Sequence, residues 1–215
     1  MGHRQRVPFL VYYIHKDEPH PMFKQLVATL ATLSLLATSP AMAAPEGWDS
    51  EHQALLNALE KSGVWVSINE PQVCDATKIE TSTHGVYYYD SKYGSLMAVC
   101  QDFGGHGDEV LWTENDLDTL RHESVHYLQD CMDGKVDGAM VPLYDGPGGP
   151  SPIDYDIKDV ISFIGYDNAT AIAATYEAAG ASEAIIILEL EAFLSASQIP
   201  ADLIADSITA QCPVK

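Results

Sequence analysis

The sequence of 215 residues predicts an α+β fold, in which a small N-terminal β-sheet region is followed by a mostly helical C-terminal half. Two observations give this class. Residues 64–68, 85–89 and 95–101 are short stretches, rich in β-branched and aromatic residues, of the kind that form strands. After residue 113, apolar residues recur instead at three- and four-residue spacing, as they do in helices. Because no repeat or linker divides residues 44–215, we expect them to form a single domain.

The first residues resemble a targeting segment. Between residues 22 and 43, a lysine, an apolar run of twelve residues and an Ala-Met-Ala cleavage site follow one another, which is the pattern of a secretory signal peptide. We therefore expect a secreted or periplasmic protein with no stable membrane association after cleavage. Residues 1–21 fit poorly in front of such a signal, and we expect them to be a mis-assigned extension before a true start at Met22.

The charge of the predicted exported chain is strongly negative. Cleavage after Ala43 would leave seven basic and 29 acidic residues, a formal charge of −22. Such a chain repels phosphate backbones and anionic membranes, so we expect no nucleic-acid partner. The sequence does not indicate an oligomeric state.

Four cysteines follow the predicted signal, namely Cys74, Cys100, Cys131 and Cys212. An even number in an exported chain predicts two disulfides, with three possible connectivities. We favour Cys74 with Cys100, which would join two parts of the β region, and Cys131 with Cys212, which would fasten the tail to a central helix. Reduced, buried cysteines are the alternative.

The remaining elements are assigned in chain order. Residues 50–61 form an amphipathic helix that ends at Ser62-Gly63. Residues 90–94 contain a glycine and connect two strands as a hairpin loop. Residues 142–152 are too rich in glycine and proline for a helix or strand. Further helices are predicted at residues 156–166, 169–179, 182–196 and 200–210.

A helix beginning after Thr113 carries the main chemical motif. Thr113 and Asp116 have the spacing of a capping box. Downstream, Leu117, Leu120, Ser124 and Leu128 form a stripe that we expect to face the core.

The motif on this helix is His122-Glu123-Ser-Val-His126. Residues four apart lie one turn of about 5.4 Å above one another, so both imidazoles would face one metal ion. Glu123 would lie beside them, close enough to take a proton from a metal-activated water. The alternative is that these are ordinary helix histidines with a solvated glutamate.

A catalytic zinc needs a third protein ligand. His106, in a glycine-rich segment, could supply it or contact substrate, although such a histidine more often does neither. No histidine follows His126, so a downstream ligand must be a carboxylate. We choose Glu189, because burying a carboxylate in an apolar helix is expensive unless it is paired or metal-bound. Glu191 is the runner-up and Glu183 a distant third. The alternative is that these glutamates are solvent-facing charges.

Two segments resemble known families. Glu189-Leu-Glu-Ala192 resembles the helix that carries the third zinc ligand in gluzincin metallopeptidases, although Phe193 stands where that family usually has Asp. Residues 120–131 and 188–193 are similar to Leu-Arg-His-Glu-x-x-His-x-x-Gln-Asp-Cys and Leu-Glu-x-Glu-Ala-Phe, which small exported or phage-borne zincin-like proteins share.

The resemblance implies a zincin-like fold in which Zn²⁺ is held by His122, His126 and Glu189, and Glu123 acts as the general base on a peptide or protein substrate. It also implies a helper for the oxyanion, for which four tyrosines compete, namely Tyr127, Tyr155, Tyr166 and Tyr176. The predicted hairpin could offer an edge strand to a peptide. An exported zinc metallopeptidase is therefore the first hypothesis. A non-catalytic exported binding protein on a zincin scaffold is the second, and a disulfide-stabilised structural protein with accidental histidines is the third.

Overall fold

The computed structural model describes residues 48–71, 73–74, 84–103, 111–143, 161–162 and 164–212. The predicted extension and signal, His106, Tyr155 and most of the glycine-rich loop lie outside these residues. The elements confirm the α+β class, and the zincin-like assignment remains a prediction. Their bounds are α1 Ser50–Lys61, β1 Trp65–Ile68, β2 Gly85–Asp90, β3 Gly94–Val99, α2 Glu114–Cys131, α3 Tyr166–Ala178, α4 Glu183–Gln198 and α5 Ala201–Gln211.

The three strands form one small sheet in the order β1-β3-β2. Strand β3 pairs in parallel with β1 and antiparallel with β2, which joins it through the predicted hairpin loop. In this loop, Asp90 Oδ1 accepts hydrogen bonds from the backbone N–H groups of Lys92 and Tyr93. Gly94, at φ 84°, supplies the left-handed residue that lets the chain turn back. Within the described residues, β1 and β2 are the outer strands of the sheet.

Helix α2 is the centre of the fold. It packs against α1, α4, α5 and the strands β2 and β3. The predicted capping box is confirmed, because Thr113 Oγ1 accepts from the Asp116 N–H at 3.1 Å and Asp116 Oδ2 accepts from the Thr113 N–H at 2.8 Å. The prediction that one apolar stripe of this helix faces the core is incomplete, because residues outside the stripe are also buried. Since the helix packs against five other elements, many of its polar residues are buried as well, and buried polar groups usually need hydrogen-bond partners.

Both favoured cysteine pairs lie at disulfide distance. Cys74 and Cys100 are bonded with their Cα atoms 5.4 Å apart, and they connect the segment after β1 to the end of β3. Cys131 and Cys212 are bonded with their Cα atoms 5.2 Å apart, and they connect the end of α2 to the end of α5. None of these four cysteines is free. Disulfides of this kind form and persist in oxidising compartments.

The C-terminal helices agree closely with the predicted ones. Ser182 caps α4, its side chain accepting a hydrogen bond from the Ile185 N–H. Of the helix predicted at residues 156–166, the positions 161, 162 and 164 are helical, and Gly165 at φ 87° separates them from α3. Across the described part of the chain, no helix combines the length and apolarity that crossing a bilayer requires.

Candidate metal centre

The two histidines of α2 face each other across one helical turn. Their ring centroids are 4.8 Å apart and the ring planes meet at 82°. This arrangement brings His122 Nε2 and His126 Nε2 to 3.1 Å from one another. The i, i+4 spacing therefore places both imidazoles on one face, as the sequence predicts.

Glu189 on α4 completes the group. Its Oε2 atom lies 3.3 Å from His122 Nε2 and 3.4 Å from His126 Nε2. All three residues are buried, and His122 is 0 % exposed. These residues form the one group of three or more His, Cys, Asp or Glu side chains in the described chain that could hold a metal ion.

The distances within this group fit a tetrahedral ion. Zinc binds imidazole nitrogen and carboxylate oxygen at about 2.0–2.1 Å, so neighbouring ligand atoms in a regular tetrahedron lie about 3.3–3.4 Å apart. The three observed separations, 3.1, 3.3 and 3.4 Å, are close to that edge length. The donor atoms are thus already arranged as one face of such a tetrahedron, which leaves a fourth position for another ligand.

Electrostatics within the group depend on the pairing of Glu189 with the histidines. Burial tends to lower the pKa of His126, but the Glu189 carboxylate beside it raises that pKa overall. Burial tends to raise the pKa of Glu189, yet the two histidines bring it below its usual range. Burial lowers the pKa of His122. The Glu189 carboxylate and the two imidazoles thus interact strongly with one another, and a divalent ion bound between them would require both imidazoles to be deprotonated at the ligating nitrogen.

Glu123 is a buried carboxyl group without a well-formed hydrogen bond. The residue is 0 % exposed, and neither oxygen has a donor at full hydrogen-bond geometry, although the Tyr87 backbone N–H tends to lower its pKa. Burial raises the pKa of Glu123 to about 8. A buried polar group that is left unpaired costs roughly 1–3 kcal/mol, so its retention beside the histidine pair requires an explanation other than stability.

The two other candidate glutamates are not part of this group. Glu191 is buried, but its Oε2 atom accepts hydrogen bonds from Gln129 Nε2 at 2.7 Å and from the Leu143 N–H at 2.8 Å. Glu183 is exposed in the first turn of α4. The alternative that Glu189 and Glu191 are both solvent-facing charges is therefore wrong, because both are buried.

Three of the four tyrosines considered as helpers for the oxyanion lie within the described residues. Tyr127 is buried and directs its hydroxyl to the Ser62 carbonyl oxygen at 3.3 Å. Tyr166 is 75 % exposed. Tyr176 is buried on α3. The role of a helper for the oxyanion therefore stays a prediction without an assigned residue.

Gln129 and Phe193 belong to the motifs that carry the resemblance, but those motifs do not show what the two side chains contact. Gln129 Oε1 lies 2.8 Å from His126 Nδ1. Phe193, at the position where the gluzincin resemblance expects Asp, packs its ring against His122 with the centroids 4.6 Å apart. A glutamine three residues after a histidine is common on helices, and only the fold reveals that these two side chains meet.

Arg121 fixes the helix next to His122. Its Nε donates to the Ala196 carbonyl oxygen at 2.7 Å, which ties α2 to α4. Its Nη1 lies 2.7 Å from His52 Nε2 on α1, and its Nη2 donates to Asp118 at 3.1 Å. Because a guanidinium only donates, His52 Nε2 accepts this hydrogen bond. One side chain thus connects α1 to α2 and α4, the two helices that carry the metal group.

Comparison with known proteins adds no assignment. No family model matches this chain, and neither curated proteins nor solved structures give a match. The gluzincin resemblance remains a prediction from the motifs, and the functional argument depends on the geometry of the site.

Proposed function

We propose that this protein is an exported zinc-dependent metallopeptidase that hydrolyses peptide bonds. The observation that carries the proposal is the triangle formed by His122 Nε2, His126 Nε2 and Glu189 Oε2, whose sides of 3.1–3.4 Å suit a tetrahedral ion. Two imidazoles and one carboxylate form a ligand set found in catalytic zinc sites, whereas structural sites favour cysteine. The cysteines of this chain are bonded to one another instead.

Glu123 provides the second argument for catalysis. Zinc in such a site polarises a peptide carbonyl and activates water as the nucleophile. Glu123, next to His122 in the chain, is the residue that would remove the proton of that water and deliver it to the departing amine nitrogen. Its carboxyl group is held by no other side chain through a hydrogen bond. A purely structural site would have no use for a buried carboxyl group at this position.

The proposed export has support of its own. The two cysteine pairs at disulfide distance suit a protein that folds outside a reducing compartment. The segment at residues 22–43 reads as a secretory signal. A substrate for such an enzyme would be an extracellular or periplasmic peptide or protein.

One observation favours the second candidate function, a non-catalytic binding protein with a metal-stabilised core. His122, His126, Glu123 and Glu189 are all at most 1 % exposed. Closed sites are typical of structural metals, whereas catalytic sites keep one position open to substrate. For the peptidase, a peptide reaches these groups only after part of the surrounding structure moves.

The deciding experiment measures zinc and hydrolysis together. The exported protein, purified with both disulfides intact, should contain one zinc per chain and cleave members of a mixed peptide library. Glu123→Gln should retain the zinc and lose cleavage, while His126→Ala should lose both. Zinc binding without cleavage by the wild type would favour the binding protein. Cleavage that survives complete removal of metal would contradict the peptidase proposal.

A further inference from the structure

We propose that Gln129 and Glu191 are positioning residues that hold the His126 ring with its proton on Nδ1 and its Nε2 atom facing Glu189. This inference rests on the proposed function, because it assigns these residues a role in presenting His126 to the metal. Neither residue belongs to the ligand set. Glu191 thus acts by holding the Gln129 side chain and not as a zinc ligand.

The orientation of the Gln129 amide follows from its neighbours. Its Nε2 atom lies 3.0 Å from the Leu188 carbonyl oxygen and 2.7 Å from Glu191 Oε2. A carbonyl oxygen can only accept a hydrogen bond, and an ionised carboxylate also only accepts. Both contacts therefore require the NH₂ group of Gln129 on that side. The reverse orientation would place the Gln129 oxygen against the Leu188 oxygen.

The protonation of His126 Nδ1 follows in turn. With its NH₂ group directed at α4, Gln129 presents Oε1 to His126 Nδ1 at 2.8 Å. An amide oxygen accepts, so Nδ1 must carry the proton and donate it. A neutral His126 then has its lone pair on Nε2, the atom that lies 3.4 Å from Glu189 Oε2. Gln129 therefore selects the His126 tautomer whose Nε2 atom is free of a proton, which is the tautomer that can bind a metal through Nε2.

Glu191 supports this arrangement from the other side. Its Oε2 atom accepts from both Gln129 Nε2 and the Leu143 N–H. The segment that supplies Leu143 is itself held to α2, because the Val141 N–H donates to the Gln129 carbonyl oxygen at 3.0 Å. Gln129, Glu191 and Leu143 are each 0 % exposed. Burial of the whole chain of hydrogen bonds restricts rotation of the Gln129 side chain, and hence of the imidazole that it contacts.

The energetic consequence is measurable as metal affinity. Partners that orient a ligating histidine through its second nitrogen typically change metal affinity by about 10–100-fold when they are removed. We therefore expect Gln129→Met, which keeps the length of the side chain and removes its hydrogen bonds, to weaken zinc binding by that factor. Glu191→Leu should also weaken it. Glu191→Gln should retain wild-type affinity, because its amide oxygen can accept from both donors.

The experiment compares these variants in the full disulfide-bonded chain by competition with a zinc chelator. A second readout uses ¹H–¹⁵N NMR of the metal-free protein, in which the His126 Nδ1–H should be visible and slow to exchange in the wild type and in Glu191→Gln. The resonance should disappear in Gln129→Met. Asp130→Asn is the matched control, since this neighbouring side chain bonds Tyr87 and should change stability without changing zinc affinity.

The outcomes separate this inference from the proposed function. Equal zinc affinities for the wild type and Gln129→Met would overturn the inference. If Gln129→Met fails to fold, the test is made with the Glu191 variants, and equal zinc affinities for Glu191→Leu and Glu191→Gln would overturn it. A loss in Asp130→Asn as large as that in Gln129→Met would assign the effect to general destabilisation and overturn it as well. Wild-type protein that binds no zinc would overturn the proposed function, while the Nδ1–H resonance would still test the hydrogen bond.

Discussion

Gly85 and Glu123 approach one another too closely for any side chain at position 85. A Cβ atom on Gly85 would lie 2.8 Å from Glu123 Oε1, 2.9 Å from Glu123 Cγ and 2.6 Å from Thr119 Cγ2. Glu123 and Thr119 are both fully buried, so a side chain at position 85 would have to displace them. The first residue of β2 therefore determines where the carboxylate of the proposed general base lies.

Gly85→Ala should accordingly impair catalysis while leaving metal binding intact. The added methyl group displaces the Glu123 carboxylate, and overpacking of this kind costs about 1–3 kcal/mol of stability. We expect the peptidase activity to fall at least tenfold at unchanged zinc affinity, measured on a cleavable peptide and by chelator competition. Adding Gly85→Ala to Glu123→Gln should reduce the activity no further. An active Gly85→Ala enzyme would show that the position of Glu123 is not critical.

Metal binding should stabilise the fold through Glu189. At a free zinc concentration 100 times Kd, linkage predicts a gain of about 2.7 kcal/mol in the free energy of unfolding. Glu189→Gln should lose most of this gain because an amide is a poorer zinc ligand than a carboxylate. Glu183→Gln, an exposed change on the same helix, should keep it. Denaturant titrations with and without chelator provide the measurement. An equal free energy of unfolding of the wild type with and without zinc would contradict the prediction.

Tyr87 and Asp130 should be energetically coupled. The Tyr87 hydroxyl donates to Asp130 Oδ2 at 2.5 Å, and Asp130 Oδ1 accepts from the Gly138 N–H at 2.7 Å. Hydrogen bonds to charged groups contribute about 1.5–3 kcal/mol, so we expect Tyr87→Phe to lower the free energy of unfolding by that order. In a double-mutant cycle with Asp130→Asn, the coupling should exceed about 0.5 kcal/mol. If the changes in unfolding free energy of the two single variants add up to that of the double variant, the hydrogen bond between Tyr87 and Asp130 does not stabilise the protein.

The two disulfides should differ in their effect on stability. Cys131–Cys212 closes a loop with a sequence separation of 81, and Cys74–Cys100 one of 26. The chain-entropy model gives roughly 4.5 and 3.5 kcal/mol for loops of these lengths. Replacing the first pair by alanines should therefore lower the free energy of unfolding by about 1 kcal/mol more than replacing the second. Chemical denaturation of the two double variants tests this order, and the reverse order would contradict it.

The sequence predicts most of the secondary structure because its local signals agree with the tertiary contacts. The Thr113–Asp116 capping box is confirmed by both of its hydrogen bonds, and α2 ends at Cys131 as expected. The choice of Glu189 over Glu191 follows from the cost of a buried carboxylate. That argument applies equally to both residues, which are buried alike. Only the direction in which each side chain leaves α4 distinguishes them.

Sequence reasoning does not reach the contacts between distant elements. The bond between Gln129 and Glu191 joins residues 62 positions apart, and the approach of Gly85 to Glu123 joins a strand to a helix. Neither has a periodicity or a motif of its own. Nothing in the local sequence indicates the role of Arg121, whose guanidinium connects α1, α2 and α4.

The order of the ligands along the chain also determines when the centre can be assembled. His122 and His126 emerge from a ribosome 67 and 63 residues before Glu189, and Cys131 emerges 81 residues before Cys212. A nascent chain that ends within α3 thus contains His122 and His126 without Glu189, and Cys131 without its disulfide partner Cys212. Binding of the proposed ion and closure of the long disulfide loop would both require the last helices, so an occupied centre would report that translation of this domain has run through α4.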